Sequence, residues 1–401
     1  MEMNETHVLR DPIHGYIHIR EEVIWKLLDT PEFQRLRQIR QLGGDVMVYH
    51  TSEHSRFSHS LGVYELFRRV LEEVPGVRES LSELEAKAGL CAALLHDVGH
   101  GPFSHSFENI THISHEDLSC RLITDPASRI NQVLCQEDTR LPEMIVSVLR
   151  HEGVYPLLED LISSQLDCDR MDYLLRDAYF TGTSYGHFDL ERILRTLRVS
   201  DGRLCVKKSG MHSVEDYIMA RYQMYWQVYL HPDAASYELL VVSFFKAYEK
   251  TRKQAPIELL EPVYRVNEDL KAFFTLDDFS VLTGIRQAMD SPDPVLADLA
   301  GRILNRQLLG WTVSPSKEKI EEIRKNAIRQ GIDPEYYVML KTLESREFLP
   351  YKEEGQTSIK VLDQGGLRNL SDCSTVVKAL LAMQESRTER LYYPKNLDAK
   401  N

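Results

Sequence analysis

The chain has no apolar run near the about 18 residues of a membrane-crossing helix, and no internal repeat or low-complexity tract. A helical membrane protein and a solenoid are thereby excluded. Its start, Met1-Glu2-Met3-Asn4-Glu5, lacks the positive charge and apolar stretch of a secretory signal. The six cysteines (Cys91, Cys120, Cys135, Cys168, Cys205, Cys373) form no C-x-x-C pair, and 401 residues far exceed the small scaffolds that disulfides staple. Reduced thiols and a cytoplasmic location are expected. Positive charge is also scarce: 48 Lys and Arg stand against 61 Asp and Glu, a net charge of −13. Nucleic acid is therefore not expected as the main partner, nor is a membrane surface, and an anionic substrate must meet a local cluster of cations.

Length alone predicts two domains, or one with a sizeable appendage. Asp11-Pro12-Ile13-His14-Gly15 is turn chemistry, and Tyr16-Ile17-His18-Ile19 alternates as a short strand or hairpin arm does. Thr30-Pro31 supplies an N-cap and a first-turn proline for a helix carrying Phe33, Leu36 and Ile39 inward, stopped by Gly43-Gly44. On that helix Gln34, Arg37 and Gln41 share one polar face, which by spacing alone is a solvated one. A helix is predicted over Phe57 to Leu71. Ser82-Glu83-Leu84-Glu85 is a capping box opening a helix that runs to Leu95, so His96-Asp97 falls at its C-terminus. Further on, Asp169, Tyr173 and Asp177 lie at i, i+4 and i+8 of a helix that buries Leu174, Leu175 and Ala178. An aromatic helix covers Val214 to Tyr229. After about Thr275 the pattern changes, and Ser358 to Leu362 alternates as a strand before the turn Gly365-Gly366. The expected class is mainly α: a helical core with a short N-terminal β element over residues 1–275, then a smaller α/β lobe over 276–401.

Eight of the fifteen histidines lie between His50 and His115, a density that packing does not require, because a buried imidazole needs partners for its nitrogens. His96 and Asp97 are adjacent, and a helix end followed by Gly99 lets the backbone turn so that both face one ion. Two protein ligands rarely suffice. His59 and a carboxylate such as Asp169 complete a mixed nitrogen and oxygen set compatible with Fe, Mn, Zn, Ni or Mg.

The order His59, His96-Asp97, Asp169 resembles the metal-dependent HD-domain phosphohydrolases. Around it, Asp11 to Gly15, Phe33-Gln34-Arg35-Leu36-Arg37, Gln41-Leu42-Gly43-Gly44, Arg56 to Gly62, His96 to His105 and Asp169 to Asp177 together resemble the deoxynucleoside triphosphate triphosphohydrolase branch. That group includes the vertebrate SAM- and HD-domain dNTPase and its bacterial relatives. The resemblance spans roughly Leu9 to Asp233. It implies an HD-domain helical core and one divalent metal held by His59, His96, Asp97 and Asp169, with room for additional Mg on the triphosphate. His100, His105 and His115 match catalytic histidines, with His105 nearest the leaving 5′-oxygen and Glu108 orienting it. Arg56, Arg170 and Arg221 match phosphate contacts. Gln41, Leu42, Tyr173, Asp177 and Tyr229 match the substrate's sugar side, Tyr229 closing on C2′. Asp29, Gln34 and Arg37 match positions that hold an activating nucleotide at a subunit interface, which implies a regulatory segment over residues 1–45 and a homo-oligomer, dimer or tetramer. The implied reaction converts a dNTP to deoxynucleoside and inorganic triphosphate. An HD phosphohydrolase or phosphodiesterase acting on another nucleotide, and a non-catalytic nucleotide-sensing oligomer, are the rival readings.

Overall fold

The computed structural model describes residues 2–344, 351–353, 358–382 and 387–398. The fold is mainly α. Strands β1 (Glu2–Asp11) and β2 (Gly15–Glu21) form an antiparallel hairpin in which Leu9 pairs with Ile17 and Asp11 with Gly15. Gly15 turns it at φ 75°, where a side chain would be strained. Alternation does the rest: Ile17 and Ile19 are buried, while Tyr16 faces out beneath the Arg10 guanidinium.

Helix α1 (Glu22–Leu28) leads to α2 (Pro31–Gln34), capped by the Thr30 hydroxyl. The expected helix through Ile39 is not continuous. It tightens into a 3₁₀ turn at Arg35–Gln38 and leaves Ile39 extended, so Gln41 departs from the stripe of Gln34 and Arg37. The cause is Arg35, whose side chain is drawn inward and buried against backbone carbonyls.

Helices α3 (Arg56–Glu73) and α4 (Glu83–Leu95) pack together, α4 beginning with the capping box of Ser82 and Glu85. A Cβ on Gly89 would stand 2.2 Å from the Phe67 ring, so the two backbones approach closely only because that position is bare. Leu90, Cys91, Ala92, Ala93, Leu94 and Leu95 are all buried. Each such leucine contributes about 1.5–3 kcal/mol of burial free energy. Pinned on every side, α4 delivers His96 and Asp97 to a fixed place.

Short helices α5 (His105–Thr111), α6 (His115–Thr124), α7 (Arg129–Glu137), α8 (Leu141–Leu149) and α9 (Pro156–Ile162) follow. Next, α10 (Cys168–Thr181) packs on α3. Beyond α11 (Leu190–Thr196), α12 (Met211–Met224) continues as a π-helical turn over Tyr225–Tyr229 that ends before α13 (Pro232–Thr251). Helices α14 (Leu270–Phe274), α15 (Asp278–Gln287), α16 (Pro294–Leu304) and α17 (Lys317–Arg329) follow.

Two small sheets involve the C-terminal part. Strands β3 (Leu197–Ser200) and β4 (Arg203–Lys207) form a hairpin, and β5 (Gly310–Val313) and β6 (Met339–Glu344) come later in the chain. The alternating stretch noted at Ser358 to Leu362 enters β7 (Lys360–Asp363), which pairs parallel with β4 and antiparallel with β8 (Gly366–Asn369). Strand β9 (Arg387–Tyr393) runs between β5 and β6. The apolar core is largely continuous from Ile17 to Tyr392, with a small separate cluster around Ile323, Ala327 and Leu391. No helix among the described residues is long and apolar enough to cross a membrane.

Candidate active site

Three helix ends meet at the histidine cluster. The first turn of α3 brings His59, the end of α4 brings His96 and Asp97, and the first turn of α10 brings Asp169. His59 Nε2 lies 3.0 Å from Asp169 Oδ1, and His96 Nε2 lies 3.7 Å from the same oxygen. Asp97 stands between two groups, with Oδ1 3.4 Å from His96 Nε2 and 3.5 Å from His100 Nε2, and Oδ2 3.7 Å from His59 Nε2. The Nε2 atoms of His59 and His96 are buried and make no hydrogen bond. Buried imidazole nitrogens that converge on two carboxylates are the donor set of a borderline divalent cation, and ligand atoms of His59, His96 and Asp169 all lie within 4.8 Å of one another. The residues therefore fit a divalent metal ion. Burial opposes charge on all four. Attraction nevertheless prevails: contacts to Asp169 and Asp172 raise His59 to about 10, Asp97 raises His96, and the imidazoles, with Arg56 for Asp97, hold both aspartates below the usual carboxylate range.

Behind this set stands Asp172, which the sequence pattern did not single out. Its Oδ2 is 2.8 Å from His59 Nδ1, its Oδ1 is 2.6 Å from His14 Nε2, and Arg176 donates to both oxygens at 2.8 and 2.9 Å. Arg176 also donates to Asp11, and all of this is buried. The carboxylate fixes the His59 ring so that Nε2 faces the other donors. His96 is fixed similarly, its Nδ1 lying 3.0 Å from the Ala93 carbonyl.

The second cluster comprises His100, His105, Glu108 and His115. Glu108 accepts from the His115 backbone at 2.9 Å, also contacts His115 Nδ1, and lies 3.1 Å from His105 Nδ1. These bonds outweigh burial and hold its carboxyl well below the ordinary range. His100 stacks on His115 with ring centres 3.8 Å apart. Burial, then Arg56 and His115, keep His100 neutral by pushing its pKa well down. His105 is the solvent-facing member, with its side chain 71% exposed.

Between the clusters the backbone is strained. Phe103 and Ser104 have φ of 58° and 52°, a left-handed pair without a glycine, each costing about 1–3 kcal/mol. Asp278 accepts from Phe103 N at 3.0 Å and from Arg40 N at 3.0 Å. Arg35 donates to the carbonyls of His100 at 2.6 Å, Val98 at 3.3 Å and Leu276 at 2.8 Å, and its guanidinium lies 4.1 Å from the centre of the Phe273 ring. The resulting turn presents the Ser104 hydroxyl, which accepts from Arg56 at 3.0 Å while Arg56 also reaches Asp97.

A cavity of about 450 Å³ opens beside these groups, lined among others by Gln41, Leu42, Arg56, Ser104, His105, Tyr173, Asp177 and Tyr229. Tyr229, on the π-helical turn, donates to Asp177 Oδ2 at 2.8 Å, and His54 Nε2 lies 2.8 Å from Asp177 Oδ1. Arg170 is turned to Asp167 and the Ser164 carbonyl, while Arg221 reaches Gln165 at 3.4 Å and lies over Tyr225. Neither arginine lines the cavity. Asp29 and Arg37 are exposed and Gln34 half-buried; Arg37 donates to the Gln34 side-chain amide oxygen at 2.8 Å and covers the Phe57 ring. His14, Arg35, His54, Asp172, Arg176 and Asp278 all support the site without having been assigned a role in it. The Asp11 to Gly15 motif and the i, i+4 spacing of Asp172 and Arg176 were the available signals.

Residues 56–177 match the HD domain and residues 188–400 match the HD-associated region. The Bacillus subtilis protein YwfO is 41% identical, over 98% of this chain and 94% of its own. The SAMHD1 deoxynucleoside triphosphate triphosphohydrolase of Danio rerio is 28% identical over 80% of this chain and 59% of its own length. A crystal structure of a phosphohydrolase from Bacteroides thetaiotaomicron superposes with a TM-score of 0.86 at 29% identity, covering 97% of this chain and all of that one. By its two matched regions, its full-length relatives and the histidine-aspartate cluster between α3, α4 and α10, the chain belongs to the HD-domain phosphohydrolase family that includes the SAMHD1 enzymes.

Proposed function

We propose that the protein hydrolyses dNTPs to deoxynucleoside and inorganic triphosphate. The observation that carries this reading is the cavity beside the histidine clusters, which brings Arg56 and His105 together with the sugar-sized set Gln41, Tyr173, Asp177 and Tyr229. A divalent ion held by His59, His96, Asp97 and Asp169 supplies Lewis-acid polarisation of a phosphoryl oxygen and acidifies water.

In the reaction a water oxygen bonds to the α-phosphorus, the bond from that phosphorus to the 5′-oxygen breaks, and a proton must reach the departing 5′-oxygen. His105 is placed to give it. Its Nδ1 is engaged by ionised Glu108, which leaves Nε2 to face the substrate and lets the carboxylate offset the imidazolium charge. Arg56 meets negative charge near the α-phosphate. Arg170 and Arg221 take the outer phosphates once swung from Asp167 and Gln165. Asp177 and Gln41 hold the 3′-hydroxyl, and the Tyr229 ring, fixed by its bond to Asp177, leaves a ribose 2′-hydroxyl without room or partner. Asp29, Gln34 and Arg37 form the surface assigned to a nucleotide activator, and occupancy there would favour an assembled oligomer.

The test is incubation with each dNTP, alone and in mixtures, with Mn²⁺ or Mg²⁺, scoring intact triphosphate. Release that disappears in His96→Ala supports the reading. A folded, metal-loaded protein that releases none from any mixture overturns it, and release of pyrophosphate or monophosphate instead identifies another nucleotide phosphohydrolase.

A further inference from the structure

The two side chains assigned to the 3′-hydroxyl, Gln41 and Asp177, meet at a third residue. Gln41 donates its backbone N–H to the His54 carbonyl at 3.0 Å, and Asp177 Oδ1 lies 2.8 Å from His54 Nε2. His54, on the loop leading into α3, is buried and stacks on Phe180 of α10 with ring centres 4.6 Å apart. Its Nδ1 is buried too and has no hydrogen-bond partner among the described residues. A buried imidazole nitrogen left unpaired is costly. The ring therefore carries its proton on Nε2 and spends it on Asp177. The other carboxylate oxygen, Oδ2, accepts from Tyr229 at 2.8 Å. With a separate donor on each oxygen the Asp177 carboxylate has one orientation, and each oxygen keeps a lone pair for a further donor. Gln41 Oε1 is a second acceptor on the same cavity, buried and without a hydrogen-bond partner among the described residues.

Resting on the dNTP reading above, we propose that His54 is the positioning residue of a clamp that requires a 3′-hydroxyl on the substrate. Its ring aims Asp177 and its carbonyl anchors Gln41, so one residue sets the spacing of the two groups that flank the hydroxyl. A hydroxyl both donates and accepts. It gives its proton to an acceptor held there and takes one from the Gln41 amide. A 3′-deoxy sugar presents only C–H to the same wall and leaves Gln41 Oε1 unpaired. Sites built to bond a substrate hydroxyl reject the analogue lacking it, because their own buried polar groups then go without partners. That rejection depends on aim. Without the His54 donor, Asp177 keeps only its tie to Tyr229 and can turn, which relieves the penalty for the missing hydroxyl.

The experiment puts one dNTP and its 2′,3′-dideoxy analogue in the same tube at equal concentration, with the other three dNTPs present, and quantifies the two nucleosides released. Their ratio reports relative kcat/KM and does not depend on how much of the enzyme is folded, metal-loaded or activated. Wild type is expected to favour the dNTP by at least about a hundredfold. His54→Phe keeps the stacking on Phe180 but has no donor, and the ratio should fall about ten- to a hundredfold, the effect of one hydrogen bond to a carboxylate. His54→Gln, whose amide N–H reaches the place of Nε2, should hold the ratio near the wild-type value, a rescue that a packing role would not produce. Should His54→Phe fail to fold, His54→Asn, with an amide too short for Asp177, takes its place. A ratio unchanged in the variant without the donor, or lowered equally in His54→Gln, overturns the role of His54. A wild-type enzyme that takes both nucleotides alike overturns the clamp and leaves the dNTP reading standing. No release from any dNTP overturns both.

Discussion

Arg35 and Asp278 grip one loop by its opposite backbone groups: Arg35 donates to the carbonyls of Val98 and His100, and Asp278 accepts the N–H of Phe103. Between them lies the segment that turns from the candidate metal pair His96-Asp97 to His105, the proposed proton donor. The strain at Phe103 and Ser104 persists because this grip is closed on both sides.

Arg35→Lys should open one side. Burial already lowers the Arg35 pKa to about 10, and a lysine keeps the charge but loses the planar fork and the stacking on Phe273. Loss of a hydrogen bond from a charged group costs about 1.5–3 kcal/mol. Denaturant unfolding should show that loss, with at least a tenfold lower kcat. Unchanged stability and turnover would refute the grip.

The other side carries a pH signature. Burial raises Asp278 from 3.8 to about 6, so between those values the native state holds a proton that the unfolded chain has released. Its contribution to stability is greatest below about pH 4 and declines as pH rises to 6, by about 3 kcal/mol at 1.36 kcal/mol per pKa unit. Asp278→Asn cannot titrate, and it accepts only one of the two backbone N–H groups. Its deficit against wild type should therefore narrow between pH 4 and pH 7, as read from paired melting curves; a deficit that widens contradicts the sign.

Asp172→Asn removes no metal ligand but weakens the acceptor behind His59 and disturbs the bonds from His14 and Arg176. Metal affinity should fall about 10- to 100-fold, measured by competition with a chelating dye. Equal affinity in the folded variant would show that Asp172 serves packing alone.

Glu108→Gln replaces an ionised acceptor shared by His105 and His115 with a neutral amide. Loss of oriented acid catalysis predicts a kcat about 10²-fold lower or worse with KM little changed. A KM effect without a kcat effect would place Glu108 in binding instead.

How far the sequence discloses this site depends on whether a residue's partner lies nearby in the chain. The capping box at Ser82, the Thr30 cap and the hairpin before His18 are local chemistry, and the structure contains each one. His59, His96, Asp97 and Asp169 stand out through residue type and order, and the structure gathers them. Asp172 and Arg176 stand out only by their i, i+4 spacing, because nothing in the nearby chain reveals that Asp11 and His14 close over them. Arg35 likewise carries no local mark of its burial. Its partners are more than sixty residues away, and that distant pull shortened the helix expected to reach Ile39. His54 and Asp177 lie 123 residues apart and share no motif, so only folding makes them neighbours.

Asp172 is also where the N-terminal hairpin meets the candidate metal centre, since one carboxylate serves both His14 and His59. Ion binding and hairpin docking are therefore thermodynamically linked. Whatever loosens β1 and β2 from the core must lower the affinity for the ion, and the ion must in turn protect the hairpin amides from hydrogen exchange by the same free energy.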